Sequence, residues 1–158
     1  MVEARGHAIP GLRMLRIPVR PAWLGVIFLG GAVGTAIRAW LETTYAAPAG
    51  QLPWVTLLIN VSGALVLGVL VDVLAESGPD KGVRRGLRLG VGTGVLGGYT
   101  TYSTFSVESF QLWNSSTWAL GLIYALLSVV AGLAAAYFGA LTARRVLRRY
   151  RRYRQDHG

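Results

Sequence analysis

The sequence predicts an all-α integral membrane protein with four transmembrane helices, the third of them broken at mid-membrane. Three observations predict it. Apolar residues make up 53% of the chain against 15% charged, and the charges are segregated. Basic residues gather in every second connection and in both tails. The stretch GVLGGYTTYSTFSVE, inside an otherwise apolar run, sets a double glycine beside a cluster of hydroxyl residues.

Charge-free runs cover residues 21–37, 43–71, 89–107 and 109–143. A helix rises ~1.5 Å per residue, and ~20 mostly apolar residues cross the hydrocarbon core. The first and third runs each hold one crossing. The second begins only after Pro48 and Pro53, and the fourth loses its polar start, NSST. The expected spans are therefore about 22–40, 54–75, 86–107 and 117–143. They form a membrane domain at 22–143, between a basic N-terminal tail at 1–21 and a basic C-terminal tail at 144–158. Span one, with Gly30, Gly31, Gly34 and Arg38 and no clean cleavage motif, does not read as a signal peptide.

The charges give an orientation. Arg5, Arg13, Arg16 and Arg20 precede span one; Lys81, Arg84, Arg85 and Arg88 lie in or beside the second loop. A further seven arginines follow residue 143, whereas loops one and three carry no basic residue. Basic residues near span ends stay cytoplasmic, so both termini are expected inside a cell-membrane protein. The net charge of +9 therefore reads as an orientation anchor that also touches anionic lipid, not as a nucleic-acid surface. The absence of cysteine removes disulfides and thiolate metal sites, and both histidines, His7 and His157, lie in the tails. No nucleophile–base constellation supports an enzyme.

Within the spans, small residues point to helix packing. Gly86, Gly90, Gly94 and Gly98 recur every fourth residue in span three, and Gly30 and Gly34 share a face of span one. In lipid, such residues let backbones approach closely. Polar residues ask for more. Asn60 lies in span two, one turn after Thr56, and either staples helices together or serves a pathway. Arg38 either snorkels to the interface or offers a positive charge to an anion. Asp72 and Glu76 fall near the cytoplasmic end of span two, Glu42 and Glu108 near the outer face. Gly97-Gly98 followed by a tyrosine and TTYST is a poor helix interior. A break there frees carbonyls at mid-membrane, which is tolerated only where protein buries them or they face water or an ion.

Four motifs in order, GGAVGTAIR, VTLLINVSGALVLG, GTGVLGGYTTYSTFSVE and YALLSVVAGLAAAYFG, resemble the Fluc (CrcB) fluoride channels across roughly residues 23–142. The resemblance implies a fluoride-selective channel that exports fluoride from the cytoplasm, built as an antiparallel dual-topology dimer with two narrow pores. It implies that Asn60 lines the pore and that the rings of Tyr102 and Phe105 contact fluoride. Hydroxyls at Ser103, Thr104, Tyr124 and Ser128, with Thr56 beside Asn60, form the polar track. Arg38 matches a vestibule arginine and Glu108 a glutamate near the pore end. The carbonyls of Gly97 and Thr100 match those that hold a structural sodium ion between the subunits.

The chemistry suits a small anion. Fluoride holds water tightly, so amide and hydroxyl donors must replace its hydration, and ring edges carry partial positive charge. Binding must stay weak enough for the ion to leave. Two features depart from the family: tyrosine stands at 102 where phenylalanine is usual, and the charge bias is far too strong for a chain that inserts both ways. The expectation is therefore one fixed orientation and an oppositely oriented homologous partner, in preference to pairing with itself. The alternatives are a weakly or non-conducting structural subunit and, remotely, a small proton-coupled multidrug exporter, which would need a glutamate that span one lacks.

Overall fold

The computed structural model describes residues 20–115 and 118–156. Most of the expected N-terminal tail, with Arg5, Arg13 and Arg16, lies outside the described residues. The described chain is helical throughout, with no strand among those residues. Helix α1 (Pro21–Thr44) starts on a proline at its first turn, where the missing N–H has no intrahelical partner to lose. It continues past the expected end near 40, and a proline-containing turn leads to α2 (Trp54–Glu76). Both, like the long final helix, are apolar and long enough to cross a membrane.

The third span is a composite. A short α3 (Val83–Leu87) runs into a π-helical segment, Arg88–Leu96, then into a single turn, α4 (Gly97–Tyr99). The helix stops at residues 100–102 and resumes as α5 (Ser103–Trp113). The break thus falls where the glycines and hydroxyls placed it. The π-helical segment has no counterpart in the sequence expectation.

Helix α6 (Trp118–Asp156) holds 39 residues, about 58 Å at ~1.5 Å per residue. Residues 144–156, expected as a tail, continue it without interruption. Arginine is a good helix former, and two ion pairs hold the extension against the end of α2. Arg144 reaches Asp72 with two hydrogen bonds, 3.0 and 3.1 Å, and Arg151 meets Glu76 at 2.8 Å.

Packing proceeds by pairs: α1 against the π-helical segment and α4, α2 against α6, and α5 against the start of α6. The first contact is almost backbone on backbone. A Cβ on Gly34 would collide with the Val95 carbonyl and lie 2.8 Å from the Tyr99 nitrogen. A Cβ on Gly98 would meet the Gly31 carbonyl. At the second contact, Gly68 lies against the Ala136 carbonyl and Gly139 against that of Leu65. The outer surface is apolar, with Phe28, Leu29, Leu133 and Phe138 exposed. Trp40, Tyr45, Trp54, Trp113 and Trp118 ring the end of the bundle opposite the arginines. Aromatic rings favour a membrane–water boundary.

Candidate functional site: a pinned helix break

The break is defined by where its backbone groups go. In an unbroken helix the Thr101 N–H would bond the Gly97 carbonyl. Instead it donates to Asn60 Oδ1 at 2.8 Å, and Asn60 Nδ2 donates back to the Thr101 carbonyl at 2.9 Å. The Asn60 amide therefore reproduces a strand-like pairing across 41 residues of sequence. Thr101 is buried, so both of its backbone groups need these partners.

Thr101 also restarts the helix. Its hydroxyl accepts the Thr104 N–H at 3.1 Å, the side-chain cap of α5. The same hydroxyl is 3.1 Å from Thr104 Oγ1 and 3.2 Å from Ser103 Oγ. Two carbonyls, those of Gly97 and Thr100, thereby lose their usual i+4 donors. The carbonyl of Gly98 receives Arg38 Nε–H at 3.1 Å and the Thr35 hydroxyl at 3.4 Å. Arg38 also pairs with Glu42 at 3.1 Å. The guanidinium is thus knitted to the break, with its charge matched one turn away.

Beside the break lies a cavity of about 290 Å³, walled by Asn60, Thr100, Thr101, Tyr102, Phe105 and Ser128. Tyr102 and Phe105 stand on its wall, and Tyr124 packs against Phe105. Tyr102 and Phe105 have centroids 6.0 Å apart, and Phe105 and Tyr124 are 5.4 Å apart, each pair tilted. Tyr124 is fully buried, whereas Tyr102 is 81% exposed on the single chain. Ser128 Oγ, beside the Tyr124 hydroxyl, is buried without a hydrogen-bond partner of normal geometry.

A larger recess of about 620 Å³ opens at the loop-one end, lined in part by Glu42, Thr56, Thr104, Glu108 and Gln111. On its wall Glu108 collects two hydroxyls, Thr56 Oγ1–H at 2.8 Å and Tyr124 O–H at 2.7 Å. Those two hydroxyls serve the carboxylate before they serve any passing ion.

Most residues singled out from the sequence lie on the break or on one of the two recesses; Tyr124 is fully buried, lines neither, and reaches the outer recess only through Glu108. Asn60, Tyr102, Phe105 and Ser128 share the inner cavity; Thr56, Thr104 and Glu108 share the outer one. Ser103 is exposed beside Thr101. Sequence reasoning passed over the roles of Thr101 and Thr35. Thr101 carried a usable signal, a threonine three residues before the N–H it caps. Thr35 carried none.

Comparison with known proteins agrees with this geometry. The profile described as "CrcB-like protein, Camphor Resistance (CrcB)" matches residues 25–140, from within α1 to within α6.

The chain belongs to the CrcB family.

Among CrcB relatives, "Fluoride-specific ion channel FluC 1" of Cutibacterium acnes is 45% identical over 118 residues, 75% of this chain and 82% of that one. "Fluoride-specific ion channel FluC 2" of Leifsonia xyli is 48% identical over 117 residues, 73% and 79% of the two chains. A protein of the same name as the first, from Streptomyces coelicolor, is 37% identical over 145 residues, 88% and 92% of the two. The CrcB match covers the break, the Asn60 pairing and both recesses.

Proposed function

We propose that this chain is a fluoride-specific ion channel, exporting fluoride from the cytoplasm and so relieving its toxicity. The reading rests on family membership and on one structural observation. The break in the third span is pinned by Asn60, and it opens onto a cavity walled by ring edges and polar donors. The second Nδ2 hydrogen of Asn60 and the Ser128 hydroxyl are the donors best placed to replace fluoride's water. Phe105 and Tyr102 supply the ring edges.

A structural sodium ion suits the same break. Sodium takes hard oxygen donors, and the Gly97 and Thr100 carbonyls are the two whose helical donors have been diverted. When bound, the ion supplies positive charge that offsets these carbonyl dipoles.

Dimerisation is supported by Tyr102. A ring so exposed, carrying a hydroxyl, is poorly matched to lipid and well matched to a second subunit that closes the cavity. The arginine-rich end and the aromatic end support a fixed orientation with both termini cytoplasmic. That favours an oppositely oriented homologous partner, which would form an antiparallel heterodimer.

A second reading, a weakly or non-conducting structural subunit, draws on the same residue: a hydroxyl at 102 stands where the pathway needs a plain ring edge. A proton-coupled exporter has no such support. Glu42, which α1 does include, lies near its outer end and is paired with Arg38. Reconstitution into liposomes, alone and with a candidate partner, followed by fluoride and chloride efflux, separates these readings.

A further inference from the structure

The extension of α6 beyond the bilayer sorts its arginines into two sets. Arg144 and Arg151, seven residues apart, fall on the face turned to α2 and are matched by Asp72 and Glu76. Arg145, Arg148 and Arg149 follow at i, i+3 and i+4, where side chains become neighbours, on a stripe displaced around the helix from that face, with Arg148, one turn from Arg144, at its near edge. All three are exposed, and none pairs with a carboxylate among the described residues. Arg152, also exposed and one turn beyond Arg148, continues the stripe. The stripe is held rigid by the two ion pairs and begins two residues after Ala143, the last residue of the charge-free run. Val146 and Tyr150, both exposed, border it.

We propose that Arg145, Arg148 and Arg149 form a binding surface for the phosphate groups of anionic phospholipids in the leaflet at this end of the bundle. Charge complementarity and position argue for lipid. The stripe starts where the helix leaves the hydrocarbon, within reach of the headgroup layer, and its apolar border suits a boundary rather than open water. Guanidinium groups recognise phosphate oxygens with paired N–H donors. The matched arginines are excluded because their charge and donors already face carboxylates. This inference is independent of what the pore conducts.

The test uses the purified full chain in detergent, where insertion direction does not enter. Binding of phosphatidylglycerol and phosphatidylcholine is followed by native mass spectrometry, for the wild type and for R145Q/R148Q/R149Q. The wild type is expected to prefer phosphatidylglycerol and to lose that preference as ionic strength rises. Each basic side chain near an anionic surface contributes roughly fivefold, so the triple variant is expected to bind at least about tenfold more weakly. The charge-conserving R145K/R148K/R149K is expected to keep most of the preference. Equal binding of the two lipids, or an unchanged preference in the glutamine variant, overturns the proposal. So does tighter binding of a short RNA than of phosphatidylglycerol. Should the glutamine variant not fold, the lipid preference of the wild type and its salt dependence still decide.

Discussion

Asn60 and Thr101 exchange two hydrogen bonds, 2.8 and 2.9 Å, through which one side-chain amide satisfies both backbone groups of a residue in a broken helix. The pair sets the shape of the inner cavity. It diverts Thr101 from Gly97, so the carbonyl of Gly97 is released, and it orients the amide beside Phe105 and Ser128.

Asn60→Ala removes both bonds and leaves a buried N–H and C=O without partners, at about 1–3 kcal/mol each. The variant is expected to melt at lower temperature and to lose fluoride efflux. Each ~1.4 kcal/mol carried into the permeation barrier lowers the rate roughly tenfold. Thermal unfolding in detergent, paired with liposome efflux, checks both effects.

At the crossing of α1 with the third span, Gly34 leaves no room for a methyl group against Val95 and Tyr99. Gly34→Ala is expected to destabilise the bundle by about 1–3 kcal/mol, as overpacking does. Gly25, on the same helix, has open space where a methyl group would project, with nothing within 4 Å. Gly25→Ala is expected to leave stability unchanged or to raise it slightly, by up to ~1 kcal/mol. Comparing the two melting temperatures separates packing from helix propensity.

Tyr102 keeps its ring 6.0 Å from Phe105 while its hydroxyl makes no hydrogen bond among the described residues. Tyr102→Phe is expected to retain or increase fluoride efflux, and to keep fluoride favoured over chloride. Tyr102→Ala, which removes the ring, is expected to lose most of the flux. Efflux measured by a fluoride electrode distinguishes an obstructing hydroxyl from one that the ion needs.

The released carbonyls of Gly97 and Thr100 lead to a prediction about sodium. Preparing the protein with an organic cation in place of sodium is expected to reduce fluoride flux, and returning sodium is expected to restore it. Flux indifferent to the exchange would remove sodium from the account of the break.

Much of this organisation is legible in the sequence for physical reasons. Uncharged runs must cross lipid, and the double glycine beside threonines marks where helical bonding fails. Asn60 stands out because an amide in a span must find a partner. Its particular partner does not stand out, since neighbouring hydroxyls look alike until the fold chooses Thr101 as the cap. The π-helical segment leaves no trace in periodicity. The length of α6 is hidden because its arginines read as a basic tail that anchors orientation, while the Asp72–Arg144 pair joins residues 72 positions apart.

Arg38 shows the same limit from another direction. Sequence offered snorkelling or a vestibule charge, and the structure gives the side chain a backbone carbonyl and a carboxylate one turn further along its own helix. Only the geometry of the break could supply that carbonyl.

The most direct measurement is fluoride efflux, against chloride, from liposomes holding this chain alone and with an oppositely oriented homologue. Selective fluoride efflux is expected, strongest with the partner present and sharply reduced by Asn60→Ala. Absence of fluoride flux in both preparations would contradict the proposed channel function.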